Sequence, residues 1–119
     1  MADNLENRLI VFAGIVMDIC DNLKYSEASK YLKSQILRSS TSVPLNFGEA
    51  RSAESPKDLF HKLSIILKEL RETVINLKLM KHKSLCKRSD LLEKAIDENN
   101  QLIAIFIKSI QTVRKKMNR

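Results

Sequence analysis

Three glutamates could take part in metal or acid–base chemistry: Glu49, Glu69 and Glu72. Di-iron helical bundles hold their metals with inward-facing carboxylates and a Glu-x-x-His pair. Because no Glu-x-x-His occurs in this sequence, we interpret the three glutamates as solvated or ion-paired residues. Glu49 is expected to meet Arg51 or Ser55 at the turn between the second and third helices.

Neither the histidines nor the cysteines form a reactive group. His61 and His82 lack a nucleophile and an orienting acid at a suitable spacing. Cys20 and Cys86 have no metal-ligand spacing and are predicted to be reduced thiols. The two glycines stand alone, so no phosphate-binding loop is present. The sequence therefore predicts no enzyme activity, no metal site and no cofactor.

Lysine and arginine carry the more informative pattern. The net charge is +7, of which residues 1–56 contribute −1 and residues 57–119 contribute +8. Cations of this kind could bind phosphates by releasing counterions. The candidate nucleic-acid-binding residues are Lys78, Lys81, Lys83, Lys87 and Arg88 at one end of the molecule, and Arg114, Lys115, Lys116 and Arg119 at the other.

Residues 24–57 add further cations to both ends. Lys24, Lys30 and Lys33 are expected at the first end, and Arg51 and Lys57 at the second. An alternative role for such residues is local, because cations near helix C-termini interact with the helix dipole. Aromatic residues for base stacking are scarce, so we expect contacts with the nucleic-acid backbone and weak sequence specificity.

Composition and length restrict the class of protein. The chain has 119 residues, 44% of them hydrophobic, which suits a single domain over residues 1–119. Only two glycines, two prolines and no tryptophan occur, which disfavours a β protein. No apolar run approaches the roughly 18 residues of a membrane span, and the N-terminus is acidic, unlike a secretory signal. We therefore predict a cytoplasmic all-α domain.

Apolar residues recur at helical spacing in four segments, at about residues 7–23, 29–53, 55–81 and 90–116. Ser55 and Pro56 are typical of a helix start, and Asp90 with Glu93 predicts a capping box. The second stripe keeps its phase across Pro44, which favours one kinked helix. Short connections predict an antiparallel, up-down-up-down four-helix bundle. The third and fourth stripes are wide, which predicts self-association through a second interface.

Several short segments resemble one known family. They are SVPLNFGEA at residues 42–50, SPKDL at residues 55–59 and KELRET at residues 68–73. In this order and spacing they resemble the four-helix-bundle proteins encoded within 23S ribosomal RNA intervening sequences, which are related to the accessory proteins of diversity-generating retroelements. Many family members have glycine at the positions of Ala50 and Ser52, and basic residues at those of Ala53 and Glu54.

The resemblance implies an antiparallel bundle, assembled as a homopentamer, with nucleic acid as a possible partner. Two functions follow as alternatives. The first is a non-enzymatic bundle that binds RNA or DNA through its two basic ends. The second is a protein-interaction module, in which helices 3 and 4 present apolar surface to a partner such as a reverse transcriptase. An enzyme remains a third alternative, which stoichiometric iron or manganese would favour.

Overall fold

The structure, a computed structural model, describes residues 2–118 and the side chains of residues 4–118. Within this part of the chain there are four α-helices and no strand. The helices are α1 (Ala2–Asp21), α2 (Glu27–Ala50), α3 (Pro56–His82) and α4 (Ser89–Met117). The all-α four-helix prediction is confirmed, and the largest boundary error lies at the start of α1.

Serine side chains cap two of the helices. The Ser55 hydroxyl accepts a hydrogen bond of 3.0 Å from the Asp58 N–H, and Pro56 occupies the first position of α3. This N-cap is the one that the sequence predicts. Ser26 caps α2 in the same way by accepting from the Ser29 N–H at 3.0 Å. Because the predicted second segment begins at about residue 29, the sequence interpretation missed the Ser26 cap.

The start of α4 differs from its prediction. No capping box forms, because the N-cap position is Arg88 and no side chain caps the helix. The Asp90 carboxylate instead accepts two hydrogen bonds from Arg88, at 2.7 and 2.9 Å. Glu93 pairs with Lys81 of α3 at 2.8 Å. Both acids therefore pair with cations that lie outside α4, so the sequence pattern of α4 alone could not predict these pairs.

α2 is one continuous helix that contains Pro44, as predicted, whereas the kink at Pro44 stays a prediction. Hydroxyl groups near the proline form local hydrogen bonds to the backbone. Thr41 Oγ1 donates to the Leu37 carbonyl at 2.6 Å, and Ser42 Oγ donates to the Ser39 carbonyl at 2.7 Å. These bonds lie in the turns before Pro44, where a proline disturbs the helical ladder.

Each helix contacts two neighbours. α1 and α3 both contact α2 and α4, whereas α1 does not contact α3 in the described residues. Ion pairs between α2 and α3 run in opposite order along the two helices: Arg38 binds Glu72, and Glu49, later in α2, binds Lys62, earlier in α3. This is the order of antiparallel neighbours. Because α1 and α3 both contact α2 and α4 but not each other, they lie on opposite sides of the bundle.

The apolar stripes of all four helices meet in one buried cluster. Phe47 of α2 and Phe106 of α4 pack edge to face, with ring centroids 6.1 Å apart and an interplanar angle of 82°. Ser39 and Ser40 are fully buried, and Ser39 Oγ shares a hydrogen bond of 2.8 Å with Thr73 Oγ1. This hydrogen bond joins α2 to α3 inside the core.

Candidate nucleic-acid interface

The C-terminal end of α3 and the start of α4 meet the connection between α1 and α2 at one end of the bundle. The Lys24 N–H donates to the Leu85 carbonyl at 2.7 Å, and the Lys87 N–H donates to the Asn22 carbonyl at 2.8 Å. These two bonds join the connections as a short antiparallel bridge. We name this region, residues 18–33 and 78–93, the loop end. Its two connections are held together by backbone bonds and not by side chains alone.

The last turn of α3 fixes the connection that carries Lys83. The Leu85 N–H donates to the Met80 carbonyl at 2.9 Å, and the Ser84 N–H donates to the Lys81 carbonyl at 3.1 Å. This pair of bonds is the Schellman motif of helix ends, with Ser84 in the left-handed conformation at φ 53°. The backbone therefore reverses sharply beside Lys83, which leaves that side chain exposed.

Cations outnumber acids at the loop end. Eight lysines and arginines face five aspartates and glutamates, which gives a net charge of +3. The structure brings Lys81, Lys83, Lys87 and Arg88 together there, all exposed, while Lys78 lies one turn earlier on the outward side of α3. Lys81 is paired with Glu93, and Arg88 with Asp90.

The remaining cations of the loop end have no such partner. Among the described residues no salt bridge involves Lys78, Lys83 or Lys87. Arg88, by contrast, forms a bidentate ion pair with Asp90. This pair lowers the pKa of the Asp90 carboxyl to about 2. The same pair raises the pKa of Arg88 above its ordinary value. The exposed lysines of the loop end without a salt bridge are thus six, Lys24, Lys30, Lys33, Lys78, Lys83 and Lys87. They are available for phosphate contacts, whereas Arg88 already binds an anion.

The opposite end is closer to electrical balance. We name residues 2–8, 49–58 and 112–118 the tail end; it has six cations and five acids, a net charge of +1. Arg114, Lys115 and Lys116 are exposed there, and Arg119 lies outside the described residues. The Arg114 guanidinium stacks over the Phe60 ring at 5.3 Å from its centroid. Arg51 forms an ion pair with Glu6 at 3.3 Å.

The glutamates that suggested chemistry are engaged in ion pairs between helices. Glu69 accepts hydrogen bonds from Arg38 at 2.7 Å and from Ser42 at 2.8 Å, and Glu72 accepts a second bond from Arg38 at 2.7 Å. Glu49 binds Lys62 of α3 at 3.3 Å. The sequence interpretation missed Arg38, because a pattern within one helix does not specify which residue of the next helix lies opposite.

The described residues contain no group of three or more histidines, cysteines, aspartates or glutamates that could hold a metal ion. His61 and His82 are both exposed, and Cys20 and Cys86 are thiols without a disulfide. No helix within residues 2–118 is both long and apolar enough to cross a lipid bilayer. The prediction that the chain has no enzyme activity stays a prediction.

The apolar surface predicted beyond the core is present on α3. Ile75 and Leu79 are exposed, whereas Ile65 of α3 and the two isoleucines that widen the α4 stripe, Ile105 and Ile107, are half-buried. A groove of about 760 Å³ runs over the outward side of α3. The excess therefore lies on α3 more than on α4.

Comparisons with known proteins agree with the fold. Residues 7–108 match the model of the family described as 23S rRNA-intervening sequence protein. A crystal structure of a protein of unknown function from the S23 ribosomal protein family of Bacteroides thetaiotaomicron is 31% identical, with a TM-score of 0.78. The match covers 93% of this chain and 99% of that one. No curated protein matches the chain. The family match over most of the chain and the shared fold lead to one conclusion: the chain belongs to the 23S rRNA-intervening sequence protein family.

Proposed function

We propose that this protein is a non-enzymatic, cytoplasmic bundle that binds the backbone of RNA or DNA with weak sequence specificity. The observation that carries the proposal is the loop end, where backbone bonds join two connections that bear exposed lysines. Its net charge of +3 supports attraction of a polyanion. The family name, which refers to 23S rRNA, is consistent with RNA as the ligand.

The two ends contribute unequally in this proposal. At the loop end, Lys83 and Lys87 flank the bridge between the connections and have no salt bridge among the residues described. At the tail end, Arg114 stacks on Phe60 and the charge is nearly balanced. The loop end is therefore the main contact, and Arg114, Lys115, Lys116 and Arg119 make a secondary contribution.

Self-association is part of the proposal, with a homopentamer favoured by the family resemblance. Several copies would present several loop ends to one nucleic acid, and each further contact would become intramolecular once the first had formed. Exposed apolar residues on α3 support a contact between copies. Affinity would then depend on assembly as well as on charge.

A titration across salt concentrations tests the proposal. Binding of structured RNA and of duplex DNA is measured with the wild-type protein, with a Lys83→Ser and Lys87→Ser double variant, and with a Lys94→Ser and Lys108→Ser control of equal charge. Each phosphate contact contributes about 0.9 to the slope of log K against log salt for duplex DNA. The first variant should therefore lower the slope by about 1.8, and the control should lower it much less.

Three outcomes would overturn the proposal. They are absence of binding at low salt, a binding constant that does not depend on salt, and equal losses in the two double variants. The last outcome would mean that net charge alone, and not the loop end, attracts the nucleic acid.

The second candidate is a protein-interaction module, in which α3 and α4 bind a partner such as a reverse transcriptase. The exposed Ile75 and Leu79 on α3 favour it, since a groove with an apolar floor suits a protein ligand. Recovery of one specific protein partner after nuclease treatment, and its loss in an Ile75→Asp variant, would support this candidate over nucleic-acid binding.

A further inference from the structure

The outward side of α1 has an apolar centre and an acidic end. Ile10, Val11 and Met17 are each about half exposed on it, at 54%, 53% and 46%. Gly14 lies among them, and a Cβ there would meet nothing within 4 Å. Asp18 and Asp21 follow on the same side, near the end of the helix, and both are exposed. We name these six residues the α1 face.

The outward side of α3 has the complementary pattern. Ile75 and Leu79 are exposed, and Tyr31 of α2 lines the same groove. Lys68 and Arg71 line this groove as well, and Lys78 lies exposed next to Leu79 on α3. No salt bridge engages these three cations in the described part of the chain. We name the six residues that form this surface the α3 face: Tyr31, Lys68, Arg71, Ile75, Lys78 and Leu79.

The two faces cannot meet within one molecule. α1 and α3 are separated by α2 and α4, which both of them contact, so the α1 and α3 faces point in opposite directions. A surface that complements a different surface on the opposite side of the same chain produces a head-to-tail contact between copies, which closes into a ring or continues as a filament.

The two apolar patches also lie at similar heights along the bundle axis. α1 and α3 both end at the loop end. Met17 lies four residues before the end of α1, and Leu79 three residues before the end of α3. Copies that stand side by side around an axis parallel to the bundle would therefore bring Met17 near Leu79, with the two aspartates near Lys78.

We propose that the α1 face of one copy docks on the α3 face of the next copy, head to tail. The inference rests on the self-association included in the proposed function and assigns the surfaces that produce it. Apolar contact supplies the attraction, and the opposite charges of the two faces select the partner and its orientation. Gly14 leaves space for a side chain of the neighbouring α3 face to approach the α1 backbone.

A mixing experiment with two variants tests this assignment. Met17→Lys places a cation in the α1 face, opposite the basic α3 face, and Ile75→Asp places an anion in the α3 face, opposite the acidic α1 face. Each variant alone should be monomeric by light scattering and sedimentation. An equal mixture should form a 1:1 heterodimer, because the intact α1 face of Ile75→Asp can dock on the intact α3 face of Met17→Lys.

Leu45 provides matched controls. It lies on α2, outside both faces, and is 70% exposed, so Leu45→Lys and Leu45→Asp should assemble as the wild-type protein does. Circular dichroism and thermal unfolding establish that every variant is folded. Should either substitution prevent folding, Ile10→Lys or Leu79→Asp replaces it in the same face.

The outcomes separate this inference from the proposed function. A wild-type protein that stays monomeric at all concentrations would overturn both the self-association and the two faces. Assembly that survives Met17→Lys and Ile75→Asp would overturn the faces alone. Two monomeric variants that fail to form a heterodimer would exclude a head-to-tail contact. Nucleic-acid binding is measured independently in the salt titration and does not decide between these outcomes.

Discussion

Arg38 of α2 and Glu69 of α3 form an ion pair in which one partner is exposed and the other is buried. Their guanidinium nitrogen and carboxylate oxygen lie 2.7 Å apart, with the side chains 54% and 8% exposed respectively. The same guanidinium binds Glu72, which is nearer the surface. A single arginine thus satisfies two carboxylates and joins α2 to α3.

Removal of Arg38 should destabilise the protein more than a surface ion pair would suggest. Arg38→Ala leaves the Glu69 carboxylate buried without its cation, so we expect the free energy of unfolding to fall by about 2 kcal/mol. The Arg38→Ala and Glu69→Gln double variant should recover part of this loss, because no buried charge remains unpaired. Urea unfolding of the variants measures both effects.

Lys94→Ala is the control for this comparison. Lys94 lies exposed on α4, outside both the α1 face and the α3 face, and no ion pair involves it in the described residues, so its loss should cost less than about 0.5 kcal/mol. An Arg38→Ala variant as stable as Lys94→Ala would show that Glu69 finds another partner or is hydrated.

The pair between Arg38 and Glu72 should make stability depend on pH in the acid range. The hydrogen bond from Arg38 lowers the pKa of Glu72 below its usual value of 4.5. As pH falls, the unfolded chain therefore takes up this proton before the folded chain does. The contribution of the pair is complete above pH 4.5 and is lost as pH falls through the lower pKa of the folded state.

Unfolding by urea between pH 6 and pH 2.5 tests this dependence. The difference in stability between the wild-type protein and Glu72→Gln should be largest at the upper end of this range and should shrink at the lower end. Glu54→Gln removes the same charge at an exposed position and controls for net charge. Parallel pH profiles of the wild-type protein and Glu72→Gln would contradict the expectation.

The number of helices and the Ser55 cap follow from the sequence because both depend on residues close together in the chain. Periodicity identifies which side of each helix is buried, and a serine followed by proline identifies a helix start. Arg38 and Glu69 are different, because their contact depends on the rotation and axial position of α2 relative to α3. A stripe of apolar residues limits the rotation of each helix but does not determine its axial position relative to the next helix.

The burial of Asn99 was missed, although the sequence pattern predicts it. It is fully buried, and its Nδ2 donates to the Leu70 carbonyl at 3.0 Å. It lies four residues after Ala95 and three before Leu102, within the apolar stripe of α4, so helical spacing alone places it in the core. The number of unpaired cations at each end is harder to predict from the sequence. It depends on ion pairs such as that of Arg88 with Asp90, which occupy cations that could otherwise contact phosphate.

Glycine in place of Ser84 should stabilise the end of α3. Ser84 has φ 53°, a conformation that costs residues with a Cβ about 1–2 kcal/mol and costs glycine little. The greater freedom of glycine in the unfolded chain offsets part of the gain, so we expect Ser84→Gly to add about 0.5 kcal/mol to the free energy of unfolding. Ser84→Ala keeps the Cβ and should add nothing. A loss of stability in Ser84→Gly would mean that the hydroxyl stabilises the turn.

The two thiols should react at very different rates. Burial raises the pKa of Cys20 to about 11, so at pH 8 only about one thiol in a thousand is in the reactive thiolate form. Cys86 is partly exposed in the connection before α4. Native protein treated with a disulfide reagent at pH 8 should therefore show one fast thiol, and the second should react only after denaturation. Cys86→Ser should remove the fast phase, and Cys20→Ser should retain it. A fast phase that persists in Cys86→Ser would mean that local opening of the core exposes Cys20, because neither the burial of this thiol nor its raised pKa allows rapid reaction in the closed bundle.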